Sequence, residues 1–144
     1  MRFPVARRAL AVLVLTATMS AGIAAAEPAA PAGKVPVLNR AQVDALLATP
    51  EKIVVIDLRR PDEQASKGAF PVFLSIQADD LEKYLAYIPR DRQVLAVSNH
   101  SRRSGQAAEL LAKHGFKVAG VVGAQIYEEE GGKLNKVVPP AAKH

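Results

Sequence analysis

The residues best suited to chemistry lie together, in the run Ser98-Asn99-His100-Ser101-Arg102-Arg103-Ser104. The valine-rich stretch Val94-Leu95-Ala96-Val97 leads into them, and a helical pattern continues through Gly105-Gln106-Ala107-Ala108-Glu109-Leu110-Leu111. A loop that leaves the carboxyl end of a buried strand and opens a helix suits an anion. The first helical amides have no intrahelical partner, and the helix dipole places partial positive charge there. Arg102 and Arg103 add full charges, and the hydroxyls of Ser98, Ser101 and Ser104 add donors. The plainer alternative is that Ser104 only caps the helix while the arginines are solvated.

Other chemistries are weaker. Ser98 could serve a phosphatase- or esterase-type reaction with His100 as base. The two stand two residues apart in a tight loop, where side chains often diverge, and no acid is identified to orient the histidine, although Asp57 could approach from the neighbouring strand end. The three histidines, His100, His114 and His144, are widely separated, and Glu128-Glu129-Glu130 reads as a solvated helix end. No metal and no other cofactor is therefore expected. The chain has no cysteine, which excludes a thiol nucleophile, a thiolate metal site or a redox pair.

Four motifs run in order along the chain. Asp57-Leu58-Arg59 follows a buried strand and is itself followed by Pro61-Asp62-Glu63; Gly68-Ala69-Phe70-Pro71 comes next. Ser98, Arg103, Ser104, Ala107 and Ala108 then mark a loop and helix, and Val122-Gly123-Ala124-Gln125-Ile126-Tyr127 closes the series. In order and spacing these motifs resemble those of single-domain rhodaneses, over roughly Leu38 to Lys133. The resemblance implies an α/β fold with a central, mostly parallel five-stranded sheet and helices on both faces. In that family a low-pKa cysteine thiolate takes a sulfane sulfur as a persulfide and passes it on. The loop amides and the closing arginine stabilise the anion. Ser98 stands at the cysteine position. Its hydroxyl is far less acidic than a thiol and cannot hold a persulfide, so the family's usual sulfur transfer is not expected.

The resemblance assigns Asp57 and Arg59 a supporting role beside the loop. The family's common loop interior carries a glycine where this chain has Ser101, so a tight cradle is expected to be compromised. Gly68–Phe73 and Val122–Tyr127 keep only part of the family pattern. The leading expectation is a catalytically inactive domain that binds a small oxyanion or a partner protein. The oxyanion would be thiosulfate, sulfate or sulfite; an acidic side chain of the partner is the other candidate. The alternatives are a serine-variant enzyme using Ser98 and a vestigial structural module.

Residues 1–26 read as a secretory signal peptide. Arg2, Arg7 and Arg8 precede an apolar stretch from Ala9 to Ile23, and Ala24-Ala25-Ala26 offers a small-residue cleavage site. An uncleaved anchor would need a longer apolar run, roughly 20 residues. The expected location is the periplasm, with membrane contact only in transit; Arg7-Arg8 leaves Sec and twin-arginine export both open. The formal charge is +5, but three of the 19 basic residues and none of the 14 acids lie in this segment. The remainder carries 16 basic residues against 14 acidic ones, a balance that gives no reason to expect nucleic acid.

Several elements must position the loop. Residues 27–36 read as a Pro/Ala/Gly-rich lead, 37–134 as the domain and 135–144 as a polar tail. Strands are expected at Val35–Leu38 (an edge, because of Pro36), Ile53–Leu58, Val72–Ile76, Gln93–Val97 and Phe116–Val122. Helices are expected over Arg40–Ala48 with Asn39 as cap, from Pro61 to Gly68, from Asp79 or Asp80 to Pro89, over Ser104–His114 with Gly115 beyond it, and around Ala124–Glu129.

Overall fold

The computed structural model describes residues 34–136. The signal segment, most of the lead and the end of the tail lie outside them. Strands and helices alternate: α1 (Arg40–Leu47), β1 (Ile53–Asp57), α2 (Pro61–Lys67), β2 (Leu74–Ser75), α3 (Leu81–Tyr84), β3 (Gln93–Ser98), α4 (Arg102–Lys113), β4 (Val118–Gly123) and α5 (Ala124–Glu129). Every strand pair is parallel, in the order β2-β1-β3-β4.

Among the described residues the sheet thus has four strands, not the five expected. Val35–Leu38 reaches the outer edge of β4 but makes a single bridge, Val37 to Val121. There the Leu38 amide donates to Val121 O at 2.8 Å, and the Val121 amide donates to Pro36 O at 2.9 Å. The next rung would need an N–H from Pro36, which has none, and the ladder stops.

β1 and β3 are buried on both faces, which is why they read as unbroken apolar runs. Val54, Ile56, Val94 and Ala96 face one core with Leu81, Ile88, Ala107, Ala108, Leu111 and Phe116. Val55, Leu95 and Val97 face the other with Val43, Phe70, Tyr127 and Leu134. Helices α3 and α4 therefore cover one face, and α1 and α5 the other. Asn39 caps α1 as expected: its Oδ1 accepts from the Gln42 amide while Gln42 Oε1 accepts from the Asn39 amide, both at 3.0 Å. Gly115 ends α4 with φ of 81°, and the Phe116 and Gly115 amides reach back to Leu111 O and Ala112 O.

Two elements are shorter than expected. The Val72–Ile76 strand contracts to Leu74–Ser75 at the open edge. The helix expected from Asp79 or Asp80 breaks into 3-10 turns, Ala78–Asp80 and Leu85–Tyr87, around α3. Neither aspartate caps it; Asp80 instead accepts from Lys83 Nζ at 2.6 Å. Beyond α5 the chain is tied back where Asn135 and Ala69 exchange backbone hydrogen bonds. Among the described residues no helix is long and apolar enough to cross a membrane.

Candidate functional site

At the carboxyl end of the sheet, β3 delivers Ser98 and α4 begins four residues later. Between them the chain makes one sharp turn at Ser101, which takes φ 63° and ψ −6°. It is the only non-glycine with positive φ among the described residues. The absence of a loop glycine thus does not prevent the turn; the serine adopts the left-handed angles at a conformational cost. With the chain so turned, the Gly105 amide bonds Ser101 O and the Gln125 amide bonds Asn99 O. Gly123 allows this close approach, because a Cβ there would stand 2.8 Å from Asn99 O and 3.2 Å from Ser101 Oγ.

Ser104 does not cap the helix. It lies inside α4, fully buried, and the capping role falls to Ser98. Ser98 Oγ accepts from the Ser104 amide at 3.2 Å and lies 3.0 Å from Ser104 Oγ, with either hydroxyl able to donate. Ser98 itself is 1% exposed. No hydrogen bond joins it to His100 or Asp57 among the described residues. Both oxygens of Asp57 instead hold Arg59: Oδ1 accepts from Nε at 2.9 Å and Oδ2 from NH2 at 2.7 Å. Both residues are completely buried, and Arg59 also donates to Gly68 O at 2.8 Å and reaches Asn99 Oδ1 at 3.5 Å. Asp57 and Arg59 thus brace one another in the core, and Arg59 meets the loop at Asn99. The Ser98–His100 pairing that a serine nucleophile would need is not formed.

Around the turn is a shallow depression of about 500 Å³, lined by Glu63, Ser98, Asn99, His100, Arg102, Arg103 and Gln106. The amides of His100, Ser101, Arg102 and Arg103 make no hydrogen bond among the described residues. Arg102 is exposed and makes no ion pair among them either. Arg103 is engaged: NH1 donates to Glu63 Oε2 at 2.9 Å and NH2 to Glu63 Oε1 at 2.7 Å. The same carboxylate accepts from Asn99 Nδ2 at 2.7 Å and from the Arg60 amide at 2.9 Å. The Arg103 guanidinium holds the Glu63 carboxyl well below its ordinary value, at about 2.

The seven loop residues expected to form the site are thus brought together, with Ser98 and Ser104 turned inward and His100 and Arg102 exposed. Glu63 is the participant that sequence reasoning did not assign to the site. One signal was present: it stands three residues after Arg60, the spacing at which a helix's third residue reaches back to the cap amide. Its bond to Arg103 spans 40 positions and has no local signature. His100 and His114 stand at opposite ends of α4, His144 lies outside the described residues, and among the described residues no three His, Asp or Glu side chains gather into a metal-holding group. Glu129 accepts from Gln125, and Glu130 from the Arg40 amide.

Residues 39–128 match the family described as the rhodanese-like domain. The chain belongs to the rhodanese-like domain family. Solved structures agree. A rhodanese-related protein from Thermoplasma volcanium is 26% identical with a TM-score of 0.60, over 68% of this chain and 95% of that one. The reduced CoADR-RHD of Bacillus anthracis is 25% identical with a TM-score of 0.61, over 68% of this chain but 17% of that much longer one. A protein of unknown function from Rhodopseudomonas palustris, described as a possible tyrosine phosphatase, shares the fold at 22% identity. Its TM-score is 0.62, over 69% of this chain and 84% of that one. No curated protein matches. The family's parallel α/β frame is therefore present in a chain that has no cysteine.

Proposed function

We propose that this is an exported, periplasmic rhodanese-like domain that carries out no thiol-based sulfur transfer and uses its Ser98–Ser104 loop to bind a small oxyanion or an acidic group of a partner protein. The observation that carries the reading is the division of labour in the loop. The hydroxyl at the family's nucleophile position is spent capping α4, while three residues that line the depression, His100, Arg102 and Arg103, keep backbone amides without a hydrogen-bond partner among the described residues, and the Arg102 guanidinium is free beside them. A buried hydroxyl with no base beside it is a poor nucleophile, which argues against the serine-enzyme alternative. A phosphatase and esterase panel on wild type and Ser98→Ala checks this; equal rates are expected.

The anion reading is tested by NMR titration with sulfate and thiosulfate. Amides 98–105 should shift at millimolar ligand, and unmoved amides would sink it. The Glu63–Arg103 ion pair favours a second reading, in which the loop is retained only as a rigid structural element. On that reading Arg103→Ala lowers stability and leaves partner binding, mapped by crosslinking, unchanged.

A further inference from the structure

The depression holds two arginines of unequal availability. Arg102 projects freely, whereas both terminal nitrogens of Arg103 are committed to one carboxylate. Glu63 lines the same depression as His100, Arg102 and Arg103, whose amides are unbonded among the described residues, so its carboxylate already holds the Arg103 fork that a bound anion would use. We propose that Glu63 is a built-in competitor for the loop's ligand, and that it restricts that ligand to small doubly charged oxyanions such as sulfate, thiosulfate or hydrogen phosphate. The inference rests on the reading that the loop binds an anion, and sharpens its small-ligand half by excluding free monocarboxylates.

The exclusion follows from an exchange argument. A carboxylate ligand would offer Arg103 the same two-oxygen grip that Glu63 already provides. Glu63 is tethered, so its local concentration far exceeds that of a free monocarboxylate at millimolar levels. Such a ligand gains nothing by the exchange. A tetrahedral dianion carries a second charge and additional oxygens. These can meet the Arg102 guanidinium and the amides of His100, Arg102 and Arg103 while the Arg103 guanidinium is drawn over. Glu63 tolerates the exchange, because it keeps the Arg60 amide and Asn99 Nδ2 as donors after Arg103 leaves.

The test is calorimetric and NMR titration of the full chain with sulfate and with acetate, in wild type, Glu63→Gln, Arg103→Lys and the double variant. Wild type should bind sulfate and not acetate. Glu63→Gln should bind sulfate about tenfold more tightly, the size expected when one charge-assisted contact no longer has to be displaced, and should acquire measurable acetate binding. In the Arg103→Lys background the same Glu63→Gln change should gain less than about twofold, because no forked donor remains to release. A gain that persists there would mean mere relief of charge repulsion and would overturn the competitor role. Equal sulfate affinity in wild type and Glu63→Gln overturns that role while leaving the anion site standing. Absence of binding in both overturns the anion reading itself. Wild type taking acetate as readily as sulfate refutes the restriction on ligand class. Should Glu63→Gln fail to fold, Glu63→Asp, one methylene too short for the same grip, must show the same gain.

Discussion

Replacing Ser101 with glycine should make the domain more stable. Ser101 holds φ 63° and ψ −6°, a conformation that costs a non-glycine residue about 1 kcal/mol or somewhat more. Its Oγ is also buried with no hydrogen-bond partner, a loss of about 1 kcal/mol at the low end of the usual range. Glycine removes both. Against this stands the greater freedom of glycine in the unfolded chain, about 0.5–1 kcal/mol. The balance favours Ser101→Gly by about 1 kcal/mol, which in a domain near a hundred residues raises Tm by roughly 4–8 °C. Urea denaturation and calorimetry measure it. Ser101→Ala separates the contributions: it removes the hydroxyl but keeps the left-handed strain, so it should fall between wild type and Ser101→Gly. A Ser101→Gly protein less stable than wild type would refute the reasoning, because the hydroxyl would then be contributing an interaction of its own.

Three further outcomes follow from the same geometry. Ser98→Cys should restore at most weak thiosulfate–cyanide sulfur transfer, since Asn99, His100, Ser101 and Arg102 depart from the family's common loop and Arg103 is held by Glu63; robust thiocyanate production would show the cradle to be competent. Arg59→Met should cost about 3–5 kcal/mol in chemical denaturation by stranding the Asp57 carboxylate in the core, and a loss below about 1 kcal/mol would contradict its bracing role. Glu63 should make stability pH-dependent. Its folded value of about 2 lies below the ordinary 4.5, so its contribution is complete above about pH 5 and is lost as pH falls through 2. The shift sets a ceiling of about 3 kcal/mol, and solvent around the 35%-exposed Arg103 reduces this to about 1–2. Glu63→Gln should flatten the curve between pH 5 and 2, and an unchanged slope would refute the assignment.

What the sequence disclosed and what it withheld divide along one physical line. β1 and β3 were legible because burial on both faces forces a continuous apolar run, and α1 was legible because its cap is built from residues three apart. Interactions that close only when distant segments meet had no such trace. Pro36 marked Val35–Leu38 as an edge, yet its reduction to a single bridge depended on which rung lacked a donor. Ser104 looked like a cap by position, but the turn at Ser101 carries the helix start back to Arg102 and hands the capping of Ser104 to Ser98. That reassignment bears directly on function. A serine at the position that the resemblance assigns to the family's nucleophile can be read as an inert remnant or as a new nucleophile, and the sequence does not choose. The bond from the Ser104 amide to Ser98 Oγ supplies a third possibility, that the hydroxyl is retained for the helix it anchors. On the proposed reading the anion site then consists of the backbone amides and arginines at the helix start that the serine anchors, and removing the hydroxyl should loosen that site without abolishing any chemistry.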